Sequence, residues 1–227
     1  SRQIGTFGME TMGKLIKMDV LIIGLRGLGV ETAKNIILAG PHSVTIYDPE
    51  ITKIQDLGNN FFLTEEDVGK KRRDEACLAK LAELNPYVHC SVMEGNDILS
   101  KVPSFHVVVI TELMNKDFLI EVDSLCREKK IGFIYSATLG ITGYCFVDFG
   151  NEHFIRDNNG EECKTYLARI ITKDKEGVVT IDDSIGGGKL ALGDGDYVTF
   201  REVGGMTELN DGKPRQIKFI SSISFRS

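Results

Sequence analysis

Gly24-Leu25-Arg26-Gly27-Leu28-Gly29 constrains this chain more than any other stretch, because it is a phosphate-cradling glycine turn altered at its central position. In the G-x-G-x-x-G pattern the first glycine makes a tight strand-to-helix turn, the second lets the backbone approach a pyrophosphate, and the third lets helix and strand pack closely. Gly24 and Gly29 fill the first and third roles. Arg26 stands at the second, where its side chain takes the space a phosphate needs, and Gly27 comes one place too late to substitute. The loop therefore reads as a degenerate nucleotide site or as a plain tight turn. Both readings predict the same architecture.

The flanking pattern agrees. Val20-Leu21-Ile22-Ile23 is the apolar, partly β-branched run of a buried parallel strand. Val30, Ala33, Ile37 and Leu38 follow at helical spacing, with Glu31 expected in the first turn and Gly40-Pro41 as the stop. Ser43-Val44-Thr45-Ile46-Tyr47 makes a second strand. It leads to Asp48, about 20 residues past the loop, where an acidic residue would bind a ribose hydroxyl. With Arg26 in place, the expected role of Asp48 is that of a strand-end or turn residue.

Further along, Thr64-Glu65-Glu66-Asp67 resembles a capping box, and Cys77, Leu81 and Leu84 form a helical stripe ended by Asn85-Pro86. Residues 88–92, 105–110 and 133–135 read as strands and 118–126 as a helix. This alternation predicts an α/β domain with a mainly parallel sheet over residues 1–150. From residue 151 the rhythm changes to short strands at 166–171, 178–181, 197–200 and 216–220. Turns at Asp157-Asn158-Asn159-Gly160, Gly186-Gly187-Gly188 and Asp194-Gly195-Asp196 punctuate them, so a small, mostly β domain is expected over 151–227.

Composition excludes several classes. With 227 residues, 42% of them hydrophobic, the chain can bury one large or two modest cores, and its net charge of -6 argues against a nucleic-acid binder. An acidic surface can still receive a basic protein partner. No apolar run approaches the length of a membrane span, and Ser1-Arg2-Gln3 does not open a signal peptide. The missing initiator methionine suggests a piece of a larger protein. Five scattered cysteines without a C-x-x-C pair suggest neither zinc nor a disulfide framework, and fit a reducing, intracellular compartment. His42, His89, His106 and His153 are dispersed without ligand spacing, so surface or structural roles are expected. Lys70-Lys71-Arg72-Arg73, beside Asp74 and Glu75, reads as a solvated helix face.

The segments Ser1-Arg2-Gln3 with Gly8, G-L-R-G-L-G-V-E, A-K-N-I-I-L-A-G, D-L-G-N-N-F-F-L, E-E-D-V-G-K and A-E-L-N-P together resemble the first adenylation-type domain of ubiquitin-activating enzymes, the E1 family. I-T-K-D, G-V-V-T, G-D-Y-V-T-F, E-V-G-G-M and E-L-N-D-G resemble that family's first catalytic-cysteine half-domain. The resemblance implies a Rossmann-like adenylation fold of the ThiF/MoeB type, followed by a mostly β half-domain that stops short of the family's closing strands at Phe225-Arg226-Ser227. That end is either where the expressed piece was cut or a true deletion.

In that family two adenylation-type domains pair, one binding ATP and magnesium and one inactive. The resemblance places this chain with the inactive partner: Arg26 replaces the central glycine, Asn59-Asn60-Phe61-Phe62 lacks the nucleotide-contacting arginine, and Thr111-Glu112-Leu113-Met114 lacks the metal-binding aspartate. Lys70 and Arg72 keep basic positions of the family's pattern. The family's catalytic cysteine lies downstream, so none of Cys77, Cys90, Cys126, Cys145 and Cys163 is assigned as nucleophile, and an apolar setting is expected for several of them.

By the same resemblance, Arg2 reaches across to the ATP phosphates of the active domain from a position just before the first helix, its guanidinium clamping phosphate oxygens as charge develops. The implied partners are the active adenylation domain of the same polypeptide, ubiquitin and E2 enzymes, with no nucleic acid and no membrane. The implied location is the cytoplasm and nucleus. Three alternatives stay open: the regulatory subunit of a heterodimeric activator, which would lack the half-domain after 150; an NAD-dependent oxidoreductase, favoured by Asp48 and opposed by Arg26; and a pure scaffold.

Overall fold

The apolar run 20–23 lies at the heart of a six-stranded sheet because both of its faces are buried. The computed structural model describes residues 2–152, 163–174, 176–182 and 190–226, with side chains from residue 4 onward. Two compact units emerge, Ser1–Gly160 and Glu161–Ser227. The turns expected at 157–160 and 186–188, and His153, lie outside the described residues.

The first unit opens with α1 (Arg2–Leu15), broken at Gly8 where φ is 76°. Its order continues β1 (Asp19–Ile23), α2 (Gly27–Ala39), β2 (Ser43–Tyr47), α3 (Arg73–Glu83), β3 (His89–Val92), α4 (Ile98–Lys101), β4 (Val107–Ile110), α5 (Lys116–Lys129), β5 (Gly132–Leu139) and β6 (Thr142–Asp148). The strands run in the order β3-β2-β1-β4-β5-β6, parallel except for β6, which returns antiparallel to β5.

Side chains alternate across a strand, so β1 feeds two cores at once. Val20 and Ile22 pack with Val30, Ala33, Ile37, Cys77 and Leu81 from α2 and α3. Leu21 and Ile23 pack with Val122 and Cys126 of α5 and with Phe133. Each such aliphatic side chain contributes about 1.5–3 kcal/mol by leaving water. That double burial is why the run lacks polar alternation.

Helix α2 ends as its sequence indicated, with Gly40 in the left-handed region at φ 87° and its N–H returning to the carbonyls of Ile36 and Ile37. No acidic residue occupies the first turn of α2, because the helix starts at Gly27 and Glu31 falls one turn later. Helix α1 begins at Arg2, so that residue opens the helix rather than preceding it. Strand β6 has no counterpart among the strands read from the sequence. Its residues alternate poorly in polarity, and burial is low along most of its length.

In the second unit β7 (Ala168–Ile171), β8 (Val178–Ile181), β9 (Tyr197–Val198), β10 (Arg215–Gln216), β11 (Lys218–Ser221) and β12 (Ser224–Arg226) form a four-stranded antiparallel sheet, β11-β12-β8-β7, and a β10-β9 pair. Val179, Ile181, Leu190, Phe200, Ile217 and Phe225 make its core. The single run expected over 216–220 is two strands, and β12 supplies the partner that joins β11 to β8. Among the described residues, no helix is long and apolar enough to cross a membrane.

Candidate functional site

The order of the sheet reverses between β1 and β4, and in open α/β sheets the crevice at the carboxyl ends of such strands is where ligands bind. One lip is Gly24-Leu25-Arg26, leading from β1 into α2; the other is the Thr111–Asn115 stretch, leading from β4 into α5.

Gly24 turns the chain at φ 90°, and a Cβ there would lie 2.8 Å from the Cβ of Glu112. A Cβ on Gly29 would overlap the Gly24 carbonyl oxygen, so this glycine is needed for the helix to sit against the turn. Thr111 closes the seam, its hydroxyl donating to the carbonyls of Ile23 at 3.1 Å and Gly24 at 2.9 Å. The first and third glycines thus do the structural work read from the sequence. Gly27 has a separate duty: a Cβ there would come within 3.1 Å of the Asn59 Cβ.

Arg26 caps α2 with its backbone alone and makes no capping hydrogen bond from its side chain. Its half-exposed guanidinium leans to the opposite lip, with Nε 3.4 Å from Glu112 Oε2. An ion pair therefore spans the mouth where a pyrophosphate would approach.

Beneath the loop the polar groups are occupied by one another. Asp48 is 3% exposed, and its Oδ2 accepts from Leu25 N and from Arg73 Nε, both at 2.8 Å. Arg73 is fully buried and also donates from Nη1 to Asp56 Oδ2 at 3.2 Å. Burial works against the charge on Arg73, but its hydrogen bond to Asp48 and the charges of Asp48 and Asp56 outweigh it and raise its pKa. Asp74 accepts from Asp48 N at 2.8 Å and is clamped by Arg72 at 3.1 and 2.6 Å. Asn60, fully buried, donates from Nδ2 to the Leu25 carbonyl at 2.8 Å and accepts from Phe62 N at 3.1 Å.

This arrangement extends one expectation and corrects another. Asp48 stands directly after β2, the strand-end place expected of it, and in addition anchors the glycine loop. Residues 70–73 are not a solvated helix face: Arg73 is internal, Arg72 is held by Asp74, and Lys71 donates to Asp67 at 2.8 Å.

The polar groups around the crevice are engaged with one another: the Asp48 carboxylate is held by Leu25 N and Arg73, and Arg26 pairs with Glu112 across the mouth.

The cysteines divide by environment. Burial pushes the Cys77 thiol up to about 11 and the Cys126 thiol up to about 12, and it raises Cys90 too. Cys145 and Cys163 are exposed, so the apolar setting expected for several cysteines does not extend to these two. Two histidines that look dispersed in sequence meet at the other end of the sheet. His42 Nδ1 lies 2.8 Å from Asp19 Oδ1, and His106 Nδ1 accepts from Asp19 N at 3.0 Å. They tie the entries of β1, β2 and β4 together. The side chain of Arg2 lies outside the described part of the chain.

Comparison with known proteins agrees with this architecture. The ThiF family model matches residues 1–179, and the model of the ubiquitin-activating enzyme E1 FCCH domain matches residues 174–227. Ubiquitin-like modifier-activating enzyme 1 of Dictyostelium discoideum is 43% identical over 99% of this chain and 22% of its own length. Ubiquitin-activating enzyme E1 1 of Triticum aestivum is also 43% identical, and the Homo sapiens ubiquitin-like modifier-activating enzyme 1 is 41% identical. Each covers 99% of this chain and 21% of its own length, so the chain spans about a fifth of these relatives. A crystal structure of E. coli MccB with succinimide shares the fold at a TM-score of 0.56 and 19% identity, covering 62% of this chain and 43% of that one. A degenerate glycine loop at the switch point of a mainly parallel sheet, matched from residue 1 to 179, places the chain in the ThiF family.

Proposed function

We propose that the chain is the N-terminal part of a ubiquitin-activating E1, with residues 1–150 its inactive adenylation-type domain and residues 151–227 most of its first catalytic-cysteine half-domain. The whole enzyme adenylates the C-terminal glycine of ubiquitin with ATP and magnesium, moves ubiquitin to its own cysteine, and passes it to an E2. The observation that carries the inactive reading is the Asp48 carboxylate, turned inward and shared by Leu25 N and Arg73 Nε. ATP and magnesium then belong to a second adenylation-type domain of the same polypeptide.

In this reading the fragment supports that domain, contributes to ubiquitin binding, and lends Arg2 to its ATP. Arg2 opens α1, whose Ile4, Phe7 and Met9 are exposed and available to pack on a neighbouring domain. The match of residues 174–227 to the FCCH domain favours an E1 over a regulatory subunit lacking that half-domain. The buried thiols Cys77 and Cys126 suit a reducing cytoplasm and nucleus.

Calorimetry of the chain with magnesium-ATP and with NAD tests the inactive reading, and micromolar binding of either would overturn it. In the full-length enzyme, Arg2→Ala slows ubiquitin-dependent exchange between pyrophosphate and ATP by roughly 100-fold, the usual value of a positioned cationic donor. Transfer to E2 from preformed thioester is untouched. Wild-type exchange at limiting ATP would reduce the fragment to scaffold and ubiquitin contact.

A further inference from the structure

The first rung between β1 and β4 is closed by a side chain. His106 N donates to the Asp19 carbonyl at 2.9 Å, and Asp19 N donates in return to His106 Nδ1 at 3.0 Å. The imidazole thus stands in for a strand carbonyl, at the point where the link from α1 enters β1. A backbone N–H can only donate, so Nδ1 of His106 carries a lone pair and the ring is neutral, with its proton on Nε2.

On the other side of Asp19 the requirement is reversed. His42 Nδ1 lies 2.8 Å from Asp19 Oδ1, and a carboxylate only accepts, so this nitrogen carries a proton. The carboxylate is ionised. Ser43 Oγ donates to Oδ1 at 2.5 Å, and that bond, with the bond from His42 and the charges of His42 and His106, holds Asp19 below the usual range against the penalty of burial. Two histidines on one aspartate are therefore opposite tautomers.

The difference matters in acid, because a protonated imidazole donates from both nitrogens and accepts at neither. His42 keeps its bond to Asp19 in either state. His106 must let go of Asp19 N, and Asp19 Oδ2, 3.5 Å from the same Nδ1, is the nearby acceptor for the new N–H. Both rings are more than half exposed, at 65% and 59%, so protons reach them from solvent. The connections entering the sheet at this end also carry Lys17, Tyr87 and Lys130, β3 starts at His89, and α3 and α4 end in Glu83 and Lys101. Among the described residues, none of these side chains is hydrogen-bonded or ion-paired to Asp19, His42 or His106.

We propose that Asp19, His42 and His106 form a proton-operated clasp at the amino ends of β1, β2 and β4, in which His106 alone switches and His42 holds in both states. At neutral pH His106 closes the β1–β4 rung. As pH falls through the range in which imidazoles titrate, about 8 to 5, a solvent proton lands on His106 Nδ1 and the ring exchanges its backbone bond for an ion pair with the Asp19 carboxylate.

Long-range 1H–15N correlation spectra of the chain at about pH 8 read the tautomers, and Nε2–H is expected for His106 and Nδ1–H for His42. Nδ1–H at His106 would overturn the clasp, whatever the variants do. Amide exchange, corrected for the pH dependence of intrinsic exchange, reads the rung. Protection at Asp19 N is expected to fall about tenfold between about pH 8 and about pH 5.5, the value of one hydrogen bond, with Ile22 further along β1 unchanged. An equal fall at Ile22 would mean that the whole sheet loosens, and would overturn a local switch. His106→Asn puts an accepting amide oxygen near the place of Nδ1 and should keep Asp19 N protected at both pH values, while His106→Ala should leave it unprotected at both. His42→Asn should keep the wild-type fall. A fall that survives His106→Asn, or one that vanishes in His42→Asn, would overturn the assignment of the switch to His106.

Discussion

Arg73 and Asp48 meet 2.8 Å apart inside the protein, the guanidinium fully buried and the carboxylate nearly so, directly beneath the turn that a nucleotide-binding sheet keeps for phosphate. The same Asp48 oxygen holds Leu25 N. One ion pair therefore braces the loop and removes the acidic group a ribose would need. Arg73 Nη2 has no hydrogen-bond partner among the described residues, so the pair is held tightly at two of its three nitrogens.

Removing one side of this pair leaves an uncompensated charge. Arg73→Met strands Asp48 and Asp56 and is expected to destabilise the chain by about 3–5 kcal/mol, measured by urea unfolding of the first unit. A loss below about 1 kcal/mol would mean that water reaches the site and the pair acts as a surface one.

Restoring the glycine pattern does not restore the ligand. Arg26→Gly opens the crevice mouth by removing the ion pair to Glu112, but Asp48 stays bound to Leu25 N and Arg73. Calorimetry with magnesium-ATP should show no binding for Arg26→Gly. Micromolar affinity in this variant would place the whole defect on the arginine.

Two glycine substitutions separate close packing from plain propensity. Gly29→Ala forces a methyl into the Gly24 carbonyl, an overpacking that costs at least about 1–3 kcal/mol. Gly13→Ala meets nothing within 4 Å and should be neutral or mildly stabilising. Melting temperatures that fall equally in both would remove the special role given to Gly29.

Thiol reactivity follows burial. Cys145 and Cys163 should titrate with a disulfide reagent in the native state at pH 8, whereas Cys77 and Cys126, raised to about 11 and about 12, should react only on unfolding. Rapid native labelling of Cys77 would show that the α3 face opens.

Acid sensitivity has a local source in Asp67. Hydrogen bonds from Lys71 and then from Thr64 hold its carboxyl down at about 2, below the ordinary 3.8. A group depressed on folding contributes stability that is complete above its unfolded value and is lost as pH falls towards its folded one. Asp67→Asn should therefore flatten the fall in stability between about pH 4 and pH 2. An unchanged slope would mean that the Asp67 contacts persist in the unfolded chain.

Local pattern made β1, β2, α2 and the α2 stop legible, because strand burial, helical spacing and a left-handed glycine are each determined within a few residues. Strand β2 and strand β8 have the bounds read from their sequences, and Gly24 and Gly29 have the roles their spacing assigns. The motif resemblance to E1 enzymes was equally readable, as an ordered set of short segments along the whole chain. Charge partnership was not. Lys70-Lys71-Arg72-Arg73 looks like a solvated run because its neighbours in sequence are polar, and nothing local says that Arg73 points inward to Asp48 and Asp56, 25 and 17 residues away. Likewise Asp19 gathers His42 and His106 only because the parallel sheet brings the starts of β1, β2 and β4 side by side. Sequence by itself determined the strands, helices and turns whose apolar period is strong, such as β1, β2, β8 and α2, since those depend on short-range sterics. Tertiary structure alone decided which buried charges meet, because desolvation and pairing depend on neighbours that only the folded sheet supplies.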